Sequence, residues 1–216
     1  MARKQNKGHG RQGSSATRTG GNLLKPWIVW GGAAIATVSI LIVIVASRSR
    51  VGGDGSVSPS TEGHIASPDF QLTLYQGAGV LGGEELKFSE VFARGKPIVL
   101  NFWAGLCPPC RAEMPFFQKV YDELGDQFIL VGLDIGPFVG LGSSEEGRNL
   151  LQELNITYPA GTTFDASTVA AYEIRGMPTT VFLTSDGAIF EVHTGILDEA
   201  TLREKVEKLI QASEAS

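Results

Sequence analysis

The chain has two cysteines, Cys107 and Cys110, set three positions apart as Cys107-Pro108-Pro109-Cys110. Residues 97–103 (P-I-V-L-N-F-W) read as a near-continuous apolar strand covered on both faces. Residues 111–124 place Met114, Phe117, Val120, Tyr121 and Leu124 at helical spacing. The pair therefore sits where a buried strand hands over to a helix. A structural staple closing so small a ring would restrict the unfolded chain by only about 2 kcal/mol. A metal site would want further ligands, and none lies nearby in sequence. Exchange chemistry accounts for the placement better. The first sulfur falls at a helix N-terminus, where free N–H groups and the macrodipole favour the thiolate. The second is close enough to attack a mixed disulfide formed by the first. Pro108 and Pro109 supply no N–H, so Cys107 relies mainly on the N–H of Cys110 and the dipole. Its pKa is then lowered less than in a strong oxidant, which predicts a reducing pair.

The elements that must hold this pair follow from periodicity. Phe70, Leu72 and Leu74 alternate with polar residues as a short strand, and residues 77–83 turn the chain on four glycines. Ser89 is placed to cap a one-turn helix through Ala93. Residues 128–133 form a second buried strand, and Ser143 with Glu146 reads as a capping box opening a helix to Leu154. Residues 167–172 suggest another short helix. Residues 179–183 and 188–193 flank Ser185-Asp186-Gly187 as a hairpin. Asp198 then caps a last amphipathic helix that uses Leu202, Val206, Leu209 and Ile210. Strand, helix, strand, helix, hairpin, helix predicts an α/β domain, a mixed sheet with helices on both faces.

Charge divides the chain. Eight of the 18 Lys and Arg fall in residues 1–50, which hold no acid; the other 166 residues carry ten basic against all 23 acidic side chains, a net of −13. Such a domain repels phosphate, which argues against nucleic acid as a partner. Its length suits one full core, and two cysteines are too few for a Cys-rich scaffold or a four-Cys metal site. Residues 1–25 are Gly-, Ser- and Arg-rich and read as a disordered basic tail. Residues 26–47 match the roughly 20 apolar residues needed to cross a bilayer, with Trp27 and Trp30 at one end. An uncleaved anchor fits better than a signal peptide, whose apolar region is shorter. More positive residues precede the span than follow it, so the tail faces the cytoplasm and the acidic domain lies outside the cell membrane. Residues 48–66 are a polar linker containing a lone His64, and residues 67–213 form the exported domain.

Residues 101–111 (N-F-W-A-G-L-C-P-P-C-R), together with R-G-M-P-T-T at 175–180, resemble the thioredoxin superfamily and, more closely, its membrane-anchored TlpA/ResA branch. The resemblance spans about residues 67–212. It implies a thioredoxin-like fold with an N-terminal β extension, preceded by one transmembrane helix, and catalysis of thiol–disulfide exchange by Cys107 and Cys110 with no cofactor and no bound metal. It further implies that Pro178 is cis and packs opposite the cysteines. Met177 would offer backbone groups to an incoming peptide, with Thr179 completing the substrate-binding turn. The implied partners are protein disulfides or dithiols, apocytochrome c before haem attachment among them, and a membrane thiol reductant.

Three positions refine the likeness. Asn101 stands where thioredoxins proper place a buried Asp, and it cannot move a proton. Glu113 fills the position where the TlpA/ResA branch carries a Glu; one turn past Cys110, it could serve as general base, or it could be a solvated acid favoured by the dipole. Leu106 replaces the usual Trp before the first Cys and changes the docking surface. Other readings stay open. They are an exported oxidase or isomerase, and a non-catalytic copper- or haem-delivery module in which His193 would be a third ligand. Gly77-Ala-Gly-Val-Leu-Gly82 matches a dinucleotide fingerprint only formally, because no long helix follows. Asn155-Ile156-Thr157 is a glycosylation sequon by pattern alone, and Ala104 stands where a peroxiredoxin would carry Thr. Residues 136–142 form an apolar loop that could be a lip for substrate or plain packing.

Overall fold

The computed structural model describes residues 65–215; the expected tail, membrane anchor, His64 and most of the linker lie outside them. Among the described residues seven strands form one sheet in the order β2-β1-β5-β4-β3-β6-β7. They are β1 (Gln71–Gln76), β2 (Glu85–Lys87), β3 (Ile98–Trp103), β4 (Ile129–Asp134), β5 (Ala160–Thr162), β6 (Thr179–Leu183) and β7 (Ile189–Thr194). Strands β3, β4 and β5 run parallel, while β6, β7 and the β1–β2 pair are antiparallel to their neighbours. The mixed sheet expected from element order is thus observed, and the β1–β2 hairpin supplies an N-terminal extension to it.

Every residue of β3 and β4 is buried, because both sheet faces are covered. On one face Val99 and Trp103 meet α3 (Pro108–Leu124), α5 (Ser144–Glu153) and α7 (Glu199–Glu214) through Met114, Phe117, Val120, Leu150, Leu151, Leu202 and Val206. On the other, Ile98, Leu100 and Phe102 pack with Val131, Leu133 and Val181 against Leu81 of α1 (Ala78–Leu81) and Val91 of α2 (Ser89–Phe92). The remaining helices, α4 (Gly136–Val139) and α6 (Ser167–Ala171), are single turns.

The capping box of Ser143 with Glu146 forms as expected, and Asp198 caps α7 by accepting from the Thr201 amide at 2.8 Å. Ser89 does not cap α2. Asp69, twenty residues away, accepts both its N–H at 2.8 Å and its hydroxyl at 2.9 Å, and Phe88 occupies the cap position. Residues 77–83 do more than turn, since Gly77 and Gly82 (both φ 88°) bracket the helical turn α1. Gly77 is also pressed against Pro159, where an added Cβ would lie 2.6 Å from its Cα. Among the described residues no helix is long and apolar enough to cross a membrane.

Candidate active site

The site lies at the C-terminal ends of β3 and β4 and the start of β6. Trp103 ends β3, and the chain turns through Ala104, Gly105 and Leu106 into α3. Gly105 is required here, because a Cβ would come within 2.6 Å of the Glu146 and Gly147 backbone of α5. Cys107 is the N-cap of α3, in extended conformation, with Pro108 and Pro109 as the first two helical residues. Proline suits that position because its missing N–H has no helical partner to lose. Cys107 and Cys110 form a disulfide with Cα atoms 5.3 Å apart. Cys107 keeps 3% of its surface exposed and Cys110 none, so Cys107 is the more accessible residue of the pair. The amide of Cys110 donates to Cys107 Sγ at 3.3 Å, the contact expected once the two prolines are discounted.

The Met177–Pro178 peptide is cis, as the resemblance implied. The β3–β6 register sets Thr179 opposite Phe102, so Pro178 falls alongside the end of β3, just before the cysteine loop. Pro178 is buried and Met177 half-buried. The Pro178 carbonyl accepts from the Gly195 amide at 2.9 Å. The Thr179 hydroxyl is directed inward, donating to the Gly176 carbonyl at 2.8 Å and lying 3.3 Å from the Thr194 hydroxyl. Thr179 therefore shapes the turn that presents Met177 and Pro178.

Glu113 is not a solvated first-turn acid. It is fully buried. Its Oε1 accepts from Asn101 Nδ2 at 2.8 Å and its Oε2 from the Leu197 amide at 3.0 Å. Burial pushes the carboxyl up to about 7, against the pull of the Leu197 and Asn101 donors. A group that exchanges its proton near neutral pH, one helical turn from Cys110, suits general base work. The sequence marks Asn101 only as a residue that cannot carry a proton; in the fold its amide holds the carboxyl of one that can. Asn101 also donates to Thr180 Oγ1 at 3.1 Å. Its one visible signal was a polar residue inside the otherwise apolar run of β3. Leu197 contributes through its backbone and left no signal at all.

His193 lies half-buried on β7, opposite Thr180 in register. Among the described residues no group of three His, Cys, Asp or Glu is placed to hold a metal ion. Residues 136–142 form α4 and the turn after it. The Leu141 carbonyl accepts the Leu106 amide at 2.8 Å, so this segment abuts the cysteine loop.

A family model described as Redoxin matches residues 62–210. Thiol-disulfide oxidoreductase ResA of Oceanobacillus iheyensis is 30% identical over 167 residues, which cover 76% of this chain and 80% of that protein. ResA of Halalkalibacterium halodurans is 32% identical over 130 residues, covering 59% and 69%. Among solved structures, StoA from Bacillus subtilis superposes with a TM-score of 0.52 at 22% identity, over 66% of this chain and 98% of that one. A secreted Mycobacterium tuberculosis disulfide oxidoreductase gives a TM-score of 0.52 at 23% identity, over 65% and 96%; these two share the fold. The chain belongs to the redoxin family, in the thioredoxin superfamily. Within it the protein is a ResA-like thiol:disulfide oxidoreductase.

Proposed function

We propose that this protein works as an extracytoplasmic reductase of protein disulfides, tethered by residues 26–47 with its N-terminus in the cytoplasm. In its dithiol form the Cys107 thiolate attacks a substrate disulfide, forming a mixed disulfide and releasing one substrate thiolate. Glu113 accepts the proton of the Cys110 thiol. The Cys110 thiolate then attacks Cys107 Sγ, closing the Cys107–Cys110 disulfide and freeing the second substrate thiol. Two electrons pass from the protein to the substrate. A membrane thiol reductant returns them. Met177 and Pro178 hold the substrate strand, with Thr179 keeping their turn in shape. Apocytochrome c before haem attachment is the client class that the likeness to the TlpA/ResA branch suggests.

The observation that carries the reducing direction is that, among the described residues, Cys107 Sγ has one amide donor, Cys110, behind two prolines. Thiolate stabilisation is what makes a pair oxidising, and little of it is supplied here. The reduction potential of the Cys107–Cys110 couple in the full-length protein tests this. A value near about −270 mV or lower is expected, and one near about −120 mV would make the protein an oxidase.

A further inference from the structure

Asp134 is a fully buried carboxylate at the end of β4, outside the exchange chemistry described above. The β3–β4 register sets it beside Trp103, four residues before Cys107. We propose that Asp134 is a positioning residue for the exchange reaction: through the segment 136–142 it fixes the backbone of Leu106 and with it the face on which a protein substrate docks beside Cys107. This inference rests on the reading of Cys107 as the attacking sulfur.

A continuous series of hydrogen bonds connects the two. Asp134 Oδ1 accepts the Gly136 amide at 2.9 Å. The Gly136 carbonyl accepts the Leu141 amide at 3.1 Å, and the Leu141 carbonyl accepts the Leu106 amide at 2.8 Å. Gly136 sits where these parts converge, since an added Cβ would lie 3.0 Å from Asp134 Oδ1, 3.1 Å from the Gly142 carbonyl and 3.2 Å from that of Leu141. Asp134 is held from two further sides. The Tyr75 hydroxyl of β1 donates to Oδ2 at 3.1 Å, and Arg148 of α5 lies 4.4 Å over the Tyr75 ring. Gly147 of α5 has no Cβ because one would stand 2.2 Å from Asp134 Oδ2. The acid thus ties β1 to the 136–142 segment at a point where α5 packs closely against it.

The segment so fastened adjoins the residue before the reacting sulfur. Leu141 packs against the core cluster that contains Cys107, and Leu106 remains 56% exposed beside it. Val139, the last residue of α4, is 36% exposed. A protein docking on Cys107 meets Leu106 first, whereas a small disulfide needs only the sulfur. Interactions with remote parts of a substrate appear in KM when they act equally on ground and transition states.

The test compares insulin with oxidised glutathione as substrates for the full-length protein. Asp134→Ala should raise KM for insulin about tenfold, the scale of one lost apolar contact, with kcat and glutathione turnover within about twofold of wild type. Asp134→Asn keeps an acceptor for the Gly136 amide and should restore the insulin KM. Faster hydrogen exchange at the Leu106 amide in Asp134→Ala would accompany the KM change. If Asp134→Ala does not fold, Tyr75→Phe decides, since it removes only the hydroxyl that donates to Asp134 Oδ2 and so loosens the same carboxylate. A several-fold rise in insulin KM supports the inference, and an unchanged one overturns it. Equal losses with both substrates in a folded Asp134→Ala protein would also overturn it. Failure of the wild type to reduce either substrate would instead remove the underlying reading.

Discussion

Asn101 in β3 and Glu113 in α3 are joined by a 2.8 Å hydrogen bond between two fully buried side chains. A buried carboxyl with no donor would be held neutral by its surroundings. The Asn101 amide and the Leu197 N–H favour the carboxylate enough to bring its proton exchange to about pH 7. The carboxylate is the form that can take the Cys110 proton, so resolution of a mixed disulfide should quicken as pH rises through about 7. Glu113→Gln should slow that step about a hundredfold and flatten the inflection, as expected when a general base is lost. Asn101→Leu removes a donor to the carboxylate and should move the inflection to higher pH. Stopped-flow measurement of mixed-disulfide decay across pH reads both.

The same burial makes a stability prediction. Glu113 titrates at about 7 instead of its ordinary 4.5, and Asp134 at about 6 instead of 3.8. Each folded-state pKa is raised, so the stability these groups contribute is complete below their ordinary values. It is lost as pH rises through about 6 to 7. For Glu113 the loss is about 2–3 kcal/mol between pH 5 and 8, by linkage. Urea unfolding at the two pH values should show a smaller drop for Glu113→Gln than for wild type. An equal drop would mean that the carboxyl is not neutral in the fold at low pH.

Pro109 occupies the second helical position of α3, one of the two whose amides reach a cap side chain; the other, Cys110, already donates to Cys107 Sγ. Pro109→Ala adds an N–H there. Cys107 should then have a lower thiol pKa, and the couple should become more oxidising. Thiol titration by absorbance, with equilibration against glutathione, measures the two changes together. No change in either would show that amide donors at this cap do not set the pair's poise.

Gly105→Ala should destabilise the protein by about 1–3 kcal/mol, the usual range for overpacking. The added Cβ meets backbone atoms of Glu146 and Gly147 at 2.6 Å, and a helix backbone cannot swing aside as a side chain can. Thermal unfolding checks this.

What the sequence disclosed depended on how far apart the interacting residues are. Cys107 and Cys110 were legible because their spacing alone sets one helical turn, and the caps at Ser143 and Asp198 because their partners lie three residues on. Ser89 misled because its competitor, Asp69, is twenty residues upstream. Glu113 looked ambiguous for the same reason, since its donors are 12 residues before it and 84 after. Strands β2 and β5 were unreadable for lack of length, each only three residues long and unable to show a period. Within β5, Gly161 carries no side chain to betray a face, yet a Cβ there would lie 2.3 Å from the Thr73 carbonyl of β1. The longer strands were written in local pattern, and the two three-residue strands and the buried acids in contacts between distant residues.

The division of labour between the sulfurs is tested most directly by trapping. The Cys110→Ala protein, reduced and mixed with insulin, should accumulate a mixed disulfide that peptide mass spectrometry assigns to Cys107. The Cys107→Ala protein should trap none. An insulin adduct on Cys110 in the second variant, or no adduct in the first, would contradict the assignment of Cys107 as the attacking sulfur.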